Sequence, residues 1–123
     1  MPFSKMLITT AVASILSQQA IAAGSPACTA KEVASARETA ERERSELEVG
    51  RGTPVDVAEA EAFVAEVEYC AELVSKAAYC ASQLTKMAAL LDTMRPYWEE
   101  GRLTLDRYLN AQRRSIELRK TCN

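Results

Sequence analysis

Four cysteines constrain this chain more than anything else in it, because their spacing is doubly regular. Cys28 and Cys70 are 42 residues apart, and so are Cys80 and Cys122. Cys28 to Cys80 and Cys70 to Cys122 are both 52. Nearly the same interval recurs in the turn chemistry. Gly50-Arg51-Gly52-Thr53 matches Gly101-Arg102-Leu103-Thr104 at an offset of 51, and Ala60-Glu61 matches Ala111-Gln112 at that offset. The chain therefore reads as a duplication. Each half is a helix, a Gly-Arg-x-Thr turn and a second helix, with a cysteine near each outer end, and the repeats cover about 28–75 and 80–123.

Disulfides need an oxidising compartment, and the N-terminus supplies the route to one. Lys5 is the only charge before the apolar run Met6–Leu16, which is too short to span a bilayer. Ala20-Ile21-Ala22 then gives the small-x-small pattern of a signal-peptidase site. Residues 1–22 are expected to be a signal peptide cleaved after Ala22, leaving 23–123 as a periplasmic or secreted duplicated helical-hairpin domain. Ser25-Pro26-Ala27 before Cys28 lacks the pattern that lipidation requires. The formal charge is −2, or −3 once Lys5 leaves, with no basic stripe, which argues against nucleic acid as a partner. No later segment is apolar enough for a membrane span, so no transmembrane segment is expected in the mature chain.

Histidine is absent. That removes the usual general base, the usual zinc ligand and every Ser-His or Cys-His nucleophile pair. Asp92, Glu99, Glu100 and Asp106 are the only carboxylate cluster near aromatics, and they read as solvated or capping groups at helix ends. No catalytic residue, cofactor site or metal site is expected, and the chain is read as a non-enzyme.

Beyond Ala27 the composition favours helix, and three points of punctuation divide it. The first helix is expected from about Lys31 to Val49, with Val33, Ala36, Ala40 and Leu47 as a thin apolar face. Gly50 suits a left-handed helix stop, Thr53 an N-cap, Pro54 the first helical position and Asp56 the third. Gly101 and Thr104 repeat the arrangement. Between Pro54 and Met94 no breaker is evident, which predicts one long helix of roughly 60 Å. A seam Phe63, Val67, Cys70, Val74, Ala77, Ala81, Leu84, Ala88, Leu91 runs along it in alternating steps of four and three, the coiled-coil period. Tyr69, Leu73, Cys80, Met87, Leu90 and Met94 form a second, adjacent seam. Pro96 is expected to kink or fray the end. The last helix starts at Thr104, with Leu105, Leu109, Gln112 and Ile116 on one stripe and Tyr108 and Leu118 beside it.

Folding each half about its turn brings Cys28 near Cys70 and Cys122 near Cys80, the expected pairing. The first fit is looser, so Cys28 must lie on a bent or extended approach to its helix. A zinc or redox site is disfavoured, since the closest cysteines are ten residues apart. The expected fold is all-α: elongated antiparallel coiled-coil hairpins, stapled by disulfides, with one long central helix flanked by two shorter ones stacked end to end.

The segment Glu48-Val49-Gly50-Arg51-Gly52-Thr53-Pro54-Val55-Asp56-Val57-Ala58-Glu59-Ala60-Glu61 resembles the hairpin motif of TolC-family outer-membrane efflux proteins. So does Tyr97-Trp98-Glu99-Glu100-Gly101-Arg102-Leu103-Thr104-Leu105-Asp106-Arg107-Tyr108-Leu109-Asn110-Ala111-Gln112. The likeness is confined to the periplasmic helical region of that family. The alternating strands of its barrel are missing here, so channel formation is not carried over. The resemblance implies a periplasmic helical module, accessory to an envelope or efflux assembly, that packs against coiled-coil helices or against itself. Tyr97, Trp98 and Tyr108, with the Met87/Met94 edge, are the candidate contacts, against the alternative that they pack within the hairpin. The competing function is a small ligand-binding or inhibitor protein built on disulfide-stapled helices.

Overall fold

A computed structural model describes residues 27–123. The expected signal peptide and its cleavage site lie outside them. The described residues form four helices and no strand: α1 Ala30–Glu48, α2 Pro54–Cys70, α3 Lys76–Glu99 and α4 Leu105–Cys122. None of these helices is long and apolar enough to cross a membrane.

Each helix start follows from a capping side chain. Thr29, Thr53, Ser75 and Thr104 all have extended backbones, and each hydroxyl accepts from the backbone N–H three residues on. At Thr29 and Thr53 the acid three residues later, Glu32 or Asp56, completes a capping box.

The helix stops share one geometry. After α1, Gly50 N–H bonds Leu47 O and Arg51 N–H bonds Glu46 O. After α3, Gly101 N–H bonds Trp98 O and Arg102 N–H bonds Tyr97 O. This is the Schellman closure, with a left-handed residue just past the helix. Residues 71–75 contain a third copy. Glu72 N–H bonds Tyr69 O, Leu73 N–H bonds Glu68 O, and Glu72 itself stands at φ 60°. The expected long helix from Pro54 to Met94 is therefore wrong. It is two helices, α2 and α3, that reverse direction at this turn.

With that reversal the neighbours pack antiparallel in chain order, α1 on α2, α2 on α3 and α3 on α4. Ion pairs report the directions. Arg37 meets Glu68 at 2.8 Å and Arg44 meets Glu61 at 3.2 Å, so α1 and α2 run oppositely. Arg107 of α4 bonds Glu59 of α2, and Arg114, seven residues on, bonds Glu66, seven residues on from Glu59. Helices α2 and α4 therefore run parallel, both against α3. The expected end-to-end stacking of the two outer helices does not occur, because the central helix it depended on is folded in half. Both disulfides consequently lie at one end of the bundle, and both Gly-Arg turns lie at the other.

The main core is shared by α2, α3 and α4. Met87, Leu90 and Met94 are fully buried against Val55 and Ala62 on one side and Tyr108, Ala111 and Leu118 on the other. Truncating a side chain such as Leu90 to alanine in such a setting costs about 2–5 kcal/mol. Helix α1 buries Val33 and Ala36 against Val67 in a smaller cluster. Pro96 does not stop α3, which continues to Glu99. The missing proline N–H falls in the last turn, where only one ladder bond is lost before the Gly101 closure.

Candidate interaction face

The sequence-selected residues divide sharply once placed. The cysteines join as expected, Cys28 to Cys70 and Cys80 to Cys122, with Cα separations of 5.3 and 5.7 Å. Cys28 sits in a bend just before the Thr29 cap, the bent approach that the spacing demanded. Gly50 and Gly101 take φ of 77° and 73°, which makes glycine the fitting residue there. Thr53, Pro54 and Thr104 occupy the cap and first-turn positions assigned to them.

The aromatic trio is not a surface. Tyr108 is 6% exposed and belongs to the core. Tyr97 is half-buried against the same core, with Arg102 over its ring at 4.8 Å from the centroid. Only Trp98 is exposed, tilted on Tyr108 at a centroid distance of 5.0 Å. Met87 and Met94 are buried as well. Packing within the fold, the alternative set against contact, is the structural role of Tyr108 and both methionines.

What does reach solvent is the other half of the apolar pattern. Leu84 on α3 and Leu105, Leu109 and Ile116 on α4 are all exposed, at 39–51%. On α4 these leucines and Ile116 sit opposite the arginines that grip α2. Leu109 follows Arg107 by two residues and Ile116 follows Arg114 by two, about 200° around the helix. On α3, Leu84, Ala88 and Leu91 border a groove of about 340 Å³ whose other wall includes Ser115 and Arg119 of α4. The α3–α4 hairpin thus turns an apolar face away from α2. Among the described residues, helix α1 touches α2 alone and leaves that face open.

A second feature lies at the disulfide end. A cleft of about 490 Å³ opens between α2, α3 and α4, lined by Tyr69, Tyr79, Gln83, Arg113, Arg114 and Glu66 among others. Tyr69 and Tyr79 stack in parallel, 4.3 Å between centroids. Burial, with the Glu66 carboxylate nearby, holds the Tyr79 hydroxyl above its ordinary pKa. Gln83 at the cleft floor is fully buried. Its Nε2 donates to Ala62 O at 3.0 Å, and its Oε1 has no partner among the described residues.

The carboxylates Glu99, Glu100 and Asp106 are exposed at helix ends, whereas Asp92 is exposed about two turns inside α3. Glu100 pairs with Arg102 at 3.4 Å. No group of three or more potential metal-ligating side chains is gathered among the described residues.

Sequence reasoning missed two things here. One is the inward role of Gln83, which fills the gap that the second seam leaves between Cys80 and Met87, at steps of three and four. The other is that the Leu105–Ile116 stripe points outward. Tyr108, Ala111 and Leu118 form the buried line instead, and their own spacing of three and seven was the available signal. No protein-family description, no curated protein and no solved structure matches this chain.

Proposed function

We propose that this chain is an exported helical interaction module whose binding surface is the outer face of the α3–α4 hairpin. One observation carries the reading. Leu84, Leu105, Leu109 and Ile116 are exposed together on a side of the doubly disulfide-linked body that no other helix covers among the described residues. Contiguous exposed apolar side chains at helical spacing mark a protein contact more readily than anything else a helix can meet in water. The leader-like residues 1–22 and the two disulfides support an extracytoplasmic site of action, periplasmic or secreted. The likeness of the two turns to efflux-protein hairpins supports a partner with coiled-coil helices in the cell envelope. No catalytic role is assigned.

The test is site-specific photocrosslinking in the native envelope. A crosslinker at Leu109 should trap a defined protein adduct, whereas one at Glu38, on the charged side of α1, should not. Equal labelling from both positions, or none from Leu109, sinks the reading. A small-ligand carrier is the second reading, supported by the cleft beside Tyr69 and Tyr79. It requires a ligand that raises the melting temperature and loses that effect in Tyr79→Ala.

A further inference from the structure

We infer that the occupant of the α3–α4 face is a second copy of this chain, packed antiparallel about a two-fold axis beside Ala88. This rests on the interaction reading above and names its partner. An isologous contact requires a surface complementary to itself, so that residue i meets j and j meets i. The outer line of α3 has that property. Leu84 and Leu91 flank Ala88 at four and three residues. An axis perpendicular to α3 between them sets Leu84 of each copy against Leu91 of the other, and the small Ala88 at the centre lets the two helices approach closely.

Of the three charged side chains in the groove, Asp92, Arg95 and Arg119, two obey the same axis, while Arg95 stands one turn from Asp92 on α3 and feels its carboxylate. The Cys80–Cys122 disulfide fixes α4 beside α3, which places Arg119 level with Leu84 in the antiparallel pair. Asp92 lies in the same groove, eight residues further along α3, roughly 12 Å away. Within one copy the two are too far apart to meet, and neither takes part in an ion pair among the described residues. The two-fold that exchanges Leu84 with Leu91 also exchanges these levels, so Asp92 of each copy faces Arg119 of the other. Two ion pairs then bracket the apolar contact, the arrangement that fixes register and orientation in helix pairing.

Sedimentation velocity over a concentration series, on the exported chain with both disulfides intact, tests this. The wild type should dimerise. Asp92→Arg and Arg119→Asp should each weaken the dimer about tenfold or more, and the double variant should restore it. Both side chains are exposed, so all variants should keep the wild-type circular dichroism. A wild type that stays monomeric throughout overturns the proposal, as does a dimer indifferent to the single swaps or a double variant no tighter than the singles. A monomer that still crosslinks from Leu109 to another envelope protein would leave the interaction reading standing while removing this one.

Discussion

Glu72 holds the same left-handed backbone as Gly50, at φ 60° against 77°, and each stands three residues before the hydroxyl cap of the next helix, Ser75 or Thr53. A side chain in that conformation costs about 1 kcal/mol, a cost glycine avoids. Glu72→Gly should therefore raise stability by about 1 kcal/mol. Gly50→Ala and Gly101→Ala should lower it by a similar amount, purely through conformation, since an added Cβ at either meets nothing within 4 Å. Denaturant midpoints check all three. A Glu72→Gly midpoint at or below wild type would refute the argument.

That one residue also explains what could be read from the sequence. Glycine announces the turns at Gly50 and Gly101, so their caps, the helices they separate and the disulfide pairing were all legible. Glu72 is chemically silent, and Ser75 alone was too weak a signal to divide a forty-residue helical pattern. The error then spread to the faces. The Phe63–Val67 half of the first seam and its Leu84–Leu91 half share one face only on a continuous helix. Once the chain reverses at 71–75, Phe63 is 52% exposed and its neighbour Ala62 is buried. Two adjacent seams of equal period cannot be ranked without knowing where the helix turns back, and the Met87, Leu90, Met94 seam proved to be the inner one. The candidate face is visible in the sequence as the Leu105, Leu109, Ile116 stripe, and it points outward.

Gln83 should be replaceable with profit. Its buried Oε1 has no partner among the described residues, and its Nε2 donates to Ala62 O, a carbonyl within α2 that the helix ladder already uses. Methionine matches its length without the polar atoms. Gln83→Met should stabilise the chain by about 1 kcal/mol, because an unsatisfied buried polar group costs more than one extra hydrogen bond returns. Gln83→Glu should destabilise it by several kcal/mol, since an unpaired carboxylate would be buried. Urea unfolding of the two variants decides the matter, and a Gln83→Met that unfolds earlier than wild type counts against it.

The pairing of α2 with α4 predicts a pH dependence. Burial alone would push the Asp56 carboxyl up. The hydrogen bonds it accepts from Arg107 and from the Thr53 hydroxyl and N–H together outweigh that, leaving its pKa below the ordinary range. Arg107, held chiefly by its hydrogen bond to Glu59, is raised. A carboxyl depressed in the folded state adds stability that is complete above its unfolded pKa near 3.9 and is lost as pH falls through the folded value. Asp56→Asn should thus be less stable than wild type at neutral pH by roughly 1 kcal/mol, after allowing for solvent screening at this partly exposed site. The gap should close as pH falls from about 5 towards 2. A gap that is constant over that range would show that the Arg107–Asp56 pair contributes nothing.

The two disulfides should differ in what their loss does, although each closes a loop of the same length. By loop entropy alone, each stabilises the folded chain by about 4 kcal/mol. The elements they tie are unequal, however. Cys80–Cys122 joins α3 to α4, which also share the main core through Met87, Leu90, Tyr108 and Leu118. Cys28–Cys70 holds the start of α1, whose other anchorage is a small cluster around Val33, Ala36 and Val67 and two exposed ion pairs to α2. Exposed pairs contribute little, and an isolated helix of this length is marginal in water. Replacing Cys28 and Cys70 by alanine should therefore let α1 open while α2, α3 and α4 stay folded. Amides of residues 30–48 should lose at least tenfold protection from hydrogen exchange relative to those of α3. Replacing Cys80 and Cys122 should instead lower protection throughout, because α3 and α4 cannot separate without breaking the core that α2 shares. If exchange by mass spectrometry shows the same uniform loss in both double variants, α1 is not the independently opening element that its small apolar cluster implies.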